Sequence, residues 1–106
     1  MKSHLLIAAC LVLMTGCTAH YYDFQGEVLT LYLDKPDAKK VFLASSLDGF
    51  QPHEVRKVDG HWVISMTADT PFRYFYLLDG QSYLPPCRMT ESDDFGSENC
   101  IFDPKL

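Results

Sequence analysis

The sequence contains no apolar run long enough to cross a bilayer as a helix. The longest run covers residues 5–14, whereas a spanning helix needs roughly 20 apolar residues. Basic residues are also scarce, because 9 Lys and Arg stand against 14 Asp and Glu, for a net charge of −5. This balance argues against nucleic acid or an anionic membrane surface as a partner. The 106 residues leave room for one small domain.

Patterns typical of catalysis are missing as well. His20, His53 and His61 do not have metal-ligand spacing, and Ser45 and Ser46 lie in no nucleophile elbow. Paired carboxylates for glycoside hydrolysis would need a cleft, which a chain of this length is too short to build. We therefore expect no enzymatic activity and no cofactor.

An acidic segment near the C-terminus offers carboxylates that could bind calcium. It contains Glu91, Asp93, Asp94 and Glu98. Their spacing matches no calcium-binding loop, so a solvated acidic surface is the preferred interpretation, and we expect no metal site.

Short apolar and aromatic runs separated by turn signals organise the rest of the chain. Residues 73–78 form the most apolar of these runs and end at the Asp-Gly pair of positions 79–80, a strong hairpin signal. Because side chains alternate along a strand, Tyr74 and Tyr76 share one face and Phe75 lies on the other. We assign the tyrosine face to the core. The opposite face must meet a second layer or a ligand.

The same pattern predicts strands along the whole domain and no helix. The expected strands cover residues 28–33, 40–44, 53–57, 61–66, 73–78, 81–84 and 100–102. About seven short antiparallel strands predict an all-β fold, a sandwich of two sheets.

The N-terminus has the pattern of a secretory signal, with Lys2 ahead of the apolar run. Residues 14–17, Met-Thr-Gly-Cys, resemble the lipobox of bacterial lipoproteins. The resemblance implies removal of residues 1–16 and attachment of diacylglycerol and a further acyl chain, such as palmitate, to Cys17. Thr18 resembles the Gram-negative signal for the outer membrane, which implies a lipid-anchored protein facing the periplasm. The alternative is an ordinary secretory signal without lipid on Cys17.

The remaining cysteines suit an oxidising compartment. Cys10 leaves with the signal, so Cys87 and Cys100 remain as an even pair. A disulfide between them would close a loop of polar residues and would stabilise the fold by about 2–3 kcal/mol. Two free thiols are the alternative, and metal binding is less favoured because no further ligands lie nearby.

Four motifs together resemble, in order and spacing, the glycogen-binding module. They are Val-Phe-Leu-Ala-Ser-Ser-Leu-Asp-Gly-Phe at 41–50, Asp-Gly-His-Trp at 59–62, Tyr-Phe-Tyr-Leu-Leu-Asp-Gly-Gln at 74–81 and Gly-Ser-Glu-Asn at 96–99. This module is the early-set immunoglobulin-like domain of AMP-activated kinase β subunits and of starch-branching and debranching enzymes. The resemblance covers roughly residues 29–103. It implies an immunoglobulin-like sandwich over residues 28–106, preceded by a lipidated tether over 17–27. The alternative for Tyr21, Tyr22 and Phe24 in this segment is addition to an edge strand, or a position near the lipid interface.

The resemblance also implies a sugar-binding surface. Two family tryptophans that stack on glucose rings fall on Phe50 and, with one residue inserted after Gln81, on Tyr83. A family asparagine falls on Asn99 and is retained, whereas a family lysine that binds sugar hydroxyls falls on Phe75. The alternative for Phe50 and Tyr83 is packing onto the sandwich. For Phe75 it is coverage by the N-terminal segment or by the loop between the cysteines.

Two functions follow from these observations. The loss of the lysine favours a non-catalytic envelope lipoprotein whose domain binds or assembles with another protein through exposed apolar residues around Phe75. The retained Phe50, Tyr83 and Asn99 favour the alternative, a lipoprotein that binds an α-glucan-like glycan. The expected partners are thus the membrane, through Cys17, and an envelope protein or glycan.

Overall fold

The computed structural model describes residues 19–35, 37–93 and 96–106. These residues form ten strands, one 3-10 turn at Ser46–Asp48 and no α-helix. The strands are β1 His20–Gln25, β2 Val28–Leu33, β3 Val41–Ser45, β4 His53–Glu54, β5 Arg56–Val58, β6 His61–Thr67, β7 Phe72–Leu78, β8 Gln81–Tyr83, β9 Thr90–Ser92 and β10 Glu98–Phe102.

The strands make two antiparallel sheets that face each other, which confirms the predicted all-β sandwich. Sheet A has the strand order β1–β2–β6–β5, and sheet B has the order β4–β3–β7–β10–β9, with β8 also paired to β7. In the described part of the chain we find no helix with the length and apolarity to span a membrane.

The core lies between the sheets and follows from side-chain alternation. Every second residue of β2 is a fully buried leucine: Leu29, Leu31 and Leu33. Sheet B contributes Tyr74 and Tyr76, exposed by only 3% and 0%, which confirms their assignment to the core. Fully burying side chains of this size stabilises a fold by about 1.5–3 kcal/mol each.

One predicted strand, over residues 53–57, is two strands in different sheets. β4 pairs with β3 in sheet B, and β5 pairs with β6 in sheet A. Between them Val55 is buried and its backbone N–H donates to the carbonyl of Val41 at 2.8 Å. The chain therefore changes sheets at Val55, and a run of alternating residues does not by itself reveal such a crossing.

The sandwich begins at His20 rather than at Val28. β1 pairs with all six residues of β2, so most of the segment expected as a tether is an edge strand of sheet A. On its inner side Tyr22 and Phe24 contact Phe102 edge-on, with ring centroids 5.3 and 5.2 Å apart. The signal sequence, Cys17 and Thr18 lie outside the described residues, so lipidation stays a prediction.

A disulfide joins Cys87 and Cys100, as predicted. Cys100 is fully buried in β10, and Cys87 packs against the core from the segment after β8. The enclosed loop also contains β9, whose residues Thr90–Ser92 pair with β10. The cross-link thus fixes an otherwise polar segment against sheet B.

His20 ties the start of β1 to the opposite sheet. Its Nδ1 lies 3.2 Å from the carbonyl oxygen of Pro86, and its Nε2 lies 3.0 Å from the hydroxyl of Tyr76. Because the carbonyl can only accept, Nδ1 donates, and Nε2 accepts from Tyr76 in the neutral imidazole. Burial lowers the pKa of His20 below its ordinary value of 6.5, since it penalises the charged ring.

This arrangement predicts a loss of stability in mild acid. The unfolded chain binds a proton on His20 at a higher pH than the folded chain does, so stability is full above about pH 6.5 and falls as the pH drops toward the folded pKa. Urea denaturation near pH 7.5 and pH 5.5 should show this decrease, and His20→Gln should reduce it. The exposed His53 provides the control, because His53→Gln should keep the decrease. Equal pH dependence in wild type and His20→Gln would contradict the assignment.

Candidate functional site

A concavity of about 460 Å³ lies on the outer face of sheet B, around Phe75. On one edge of β7, β10 pairs with residues 72–74 and β8 pairs with residues 76–78. Phe75 lies between these two pairings, where the neighbouring strand changes. The outer face is therefore open at this position, and the side chain of Phe75 forms part of the concave surface.

Phe50 covers one side of Phe75. The two rings stack with centroids 5.8 Å apart and an interplanar angle of 22°. Both side chains are half-buried. We call them the Phe50–Phe75 pair. An offset stack of this kind is worth about 0.5–1.5 kcal/mol beyond the area it buries, while the exposed parts of the two rings present an apolar surface to solvent.

A tight turn after β3 places Phe50 in this position. The hydroxyl oxygen of Ser45 accepts from the N–H of Leu47 at the start of the 3-10 turn, and the backbone N–H of Phe50 donates to the carbonyl of Ser45 at 2.7 Å. Gly49 and Phe50 are both left-handed, with φ of 73° and 65°. This conformation is unfavourable for a bulky residue, so the stacking contact and the hydrogen bond must compensate for it.

Three further hydrogen bonds fix the turn, two of them to strands of sheet B. The hydroxyl of Ser46 accepts from the backbone N–H of Arg73 in β7 at 3.0 Å. The carboxylate of Asp48 accepts from the ring of His53 and from the backbone N–H of Gln51. The hydrogen bond from His53 is the main cause of a lowered pKa at Asp48. The aromatic pair therefore lies on a turn that is fixed at both ends.

Asn99 contributes the amide of the concavity. Its neighbour Cys100 pairs with the core residue Tyr74, so alternation points Asn99 to the outer face, beside Phe75. The residue is 4% exposed. Among the described residues we find no hydrogen bond to its side-chain amide. With no partner among these residues, the amide retains its capacity to bind a ligand.

Tyr83 does not join the Phe50–Phe75 pair. It pairs directly with Tyr76, and paired residues project from the same face of a sheet, so its ring points to the core side. There it packs against the core and lies under the ammonium of Lys35, 5.0 Å from the ring centroid. Ser82, which pairs with Leu77, lies on the face of Phe75 instead. Tyr83 is only half-buried, however, and it also lines the concavity beside Phe75.

The loop between the cysteines supplies the polar side of the concavity. Asp93, Ser97 and Glu98 line it together with Asn99. Asp93 accepts a hydrogen bond from the backbone N–H of Ser97 at 3.0 Å. The loop thus lies beside Phe75 without burying it fully, whereas the N-terminal strand lies in the other sheet.

The acidic residues of the loop do not converge on a metal site in the described part of the chain. Glu91 pairs with Arg73, with Nη1 and Oε2 3.2 Å apart. No group of three or more His, Cys, Asp or Glu side chains within residues 19–35, 37–93 and 96–106 is placed to hold a metal ion. Asp94 lies outside the described residues. The arrangement offers an apolar centre, one amide and a negatively charged rim.

Comparison with known proteins identifies the fold. No protein-family model matches the chain, and no curated protein matches it in sequence. Among solved structures, the apo pullulanase from Paenibacillus barengoltzii is similar to it, with a TM-score of 0.52 and 20% sequence identity. The similarity covers 77% of this chain and 14% of the pullulanase. The likeness is one of fold alone.

The half-buried position of Phe75 predicts that a charge there is tolerated. In Phe75→Lys the lysine can extend its ammonium to solvent, so the main loss is the stack with Phe50. We expect the free energy of unfolding to fall by about 1–2 kcal/mol, measured by urea denaturation. Phe42→Lys is the matched control, because Phe42 is half-buried on the same outer face without a described aromatic neighbour. A loss above about 4 kcal/mol for Phe75→Lys alone would place Phe75 in the core.

Proposed function

We propose that this chain is a non-catalytic lipoprotein of the cell envelope that binds a protein partner through the Phe50–Phe75 pair. The observation that supports this most is the pair itself, which a left-handed turn holds half-exposed on the outer face of sheet B. Aromatic side chains contribute much of the binding energy in protein interfaces. Backbone strain that surrounding contacts stabilise is often found at functional sites.

The rim of the concavity indicates the chemistry of the partner. Asp93 and Glu98 line it and Asp48 lies in the turn before Phe50, in a chain of net charge −5. A partner with an apolar centre and basic residues around it would be complementary. Such rim charges act mainly on the rate of association and on specificity, while the aromatic pair supplies the buried contact.

A second candidate function is the binding of an α-glucan-like glycan at the same surface. The specific observation in its favour is the amide of Asn99, which is nearly buried in the concavity beside Phe75 and has no hydrogen-bond partner among the described residues. The likeness in fold to part of a pullulanase is compatible with it. Against it, Phe75 occupies the position of the family lysine, so one polar group is missing. Tyr83 lines the concavity but pairs with the core residue Tyr76 and does not stack with Phe50 or Phe75.

Binding of a protein partner predicts that Phe50→Ser reduces capture of that partner from an envelope extract by about tenfold or more, because a buried aromatic contact is worth at least about 1.4 kcal/mol. Leu47→Ser is the matched control, since Leu47 is an exposed apolar residue in the same turn. It should leave capture unchanged. Retention on immobilised α-glucan is measured in parallel. Glucan retention that Phe50→Ser and Asn99→Ala both abolish would favour the glycan instead.

Anchoring through Cys17 is tested separately. Cells grown with an alkyne-bearing palmitate should label the wild-type protein, whereas Cys17→Ser should remain an unlabelled, uncleaved precursor, because the thioether that directs processing cannot form. Cys10→Ser is the control, since this cysteine lies within the expected signal and its loss should leave labelling intact. Equal labelling of wild type and Cys17→Ser would overturn the lipid anchor.

A further inference from the structure

A second concavity, larger than the first, lies at the open side of the sandwich where β1 faces sheet B. It measures about 640 Å³. One wall is the inner side of β1, and the other consists of β7, the end of β10 and the segment around the disulfide. Lining side chains include His20, Tyr22, Tyr74, Met89, Ile101 and Phe102. We call this space the β1 cavity, and neither function proposed above uses it.

The walls of the β1 cavity suit a hydrocarbon. Aromatic rings, Met89, Ile101, Pro86 and the disulfide-bonded Cys87 make most of its surface apolar. His20 adds little polarity, because both of its ring nitrogens already bond to Pro86 and Tyr76. Arg88 and Asp103 are the charged side chains among the lining residues, with Arg88 exposed. A ligand in this cavity would make mainly apolar contacts. Few polar groups are present that could orient a polar molecule.

The position of the cavity indicates which hydrocarbon occupies it. Cys17 lies three residues before His20 in the sequence. Because a fully extended chain spans at most about 3.6 Å per residue, the sulfur of Cys17 stays within roughly 10–15 Å of the cavity wall. Any acyl group on that residue is thus held next to an apolar cavity at a high effective concentration.

We propose that the β1 cavity receives an acyl chain of the lipid on Cys17. The proposal rests on the lipid anchor proposed above. If each methylene fills about as much space as a water molecule, roughly 30 Å³, a chain of about 16 carbons takes up on the order of 480 Å³, less than the cavity provides. The acyl chain then lies between the two sheets instead of in the bilayer.

The test uses the complete mature lipoprotein in membranes. Cells are grown with a palmitate that bears a diazirine and an alkyne, irradiated, and the protein is digested for mass spectrometry. We expect cross-links from the lipidated Cys17 peptide to peptides that contain Met89 or Ile101. Mixing isotopically heavy and light protein before irradiation separates the expected links within one chain from links between chains.

Two variants of Met89 test whether a loss of cross-links comes from the changed cavity or from misfolding. Met89→Glu introduces a charge into the β1 cavity, and Met89→Trp fills it with apolar volume. Both should lower the yield of internal cross-links by about fivefold or more, while Cys87 and Cys100 remain protected from alkylation. Val58→Glu, at the exposed far edge of sheet A, should leave the yield unchanged.

The outcomes separate the two proposals. Label on Cys17 with cross-links only to membrane lipids, or with internal cross-links that both Met89 variants leave unchanged, would overturn occupancy of the cavity and leave the anchor standing. Complete absence of label from the wild-type protein would overturn the anchor and the occupant together.

Discussion

Strand β7 is hydrogen-bonded along both edges, and the strict alternation of its side chains sets what each face of the molecule can do. Tyr74 and Tyr76 face inward, where they pack with the leucines of β2. Phe75, between them, can then only face outward. A shift of the register by one residue would exchange the two faces and expose the tyrosines. The hydrophobic core and the aromatic surface are therefore two results of the same constraint.

Much of this arrangement could be predicted from the sequence because it depends on local signals. Alternation identified the buried face of β7, and the Asp-Gly pair at 79–80 correctly marked its hairpin to β8. The pairing of Cys87 with Cys100 followed from counting cysteines. The resemblance to the glycogen-binding module named Phe50, Phe75, Tyr83 and Asn99. In the structure Phe75, Tyr83 and Asn99 line one concavity, and Phe50 stacks on Phe75.

The remaining features depend on contacts between distant parts of the chain. Val55, at the change from sheet B to sheet A, looks like any residue within an alternating strand. For Tyr21, Tyr22 and Phe24 the sequence left a tether and an edge strand both open, because pairing of β1 with β2 and contact with Phe102 are not local properties. Tyr83 was assigned to the sugar site by allowing an inserted residue, and its pairing with the core residue Tyr76 at the rim of the concavity depends on the hairpin register. Ser82, in the position that faces outward, carries no aromatic signal.

The early start of β1 has a consequence for where a partner can be met. If the lipid is on Cys17, β1 starts only three residues after the lipidated position. So short a linker keeps the domain close to the bilayer. The Phe50–Phe75 pair lies on the opposite sheet from β1. It can then contact only molecules in a thin layer next to the membrane. A partner must itself be held in that layer or extend into it. An anchor at Cys17 would therefore favour ligands held at the membrane surface over ligands that diffuse freely.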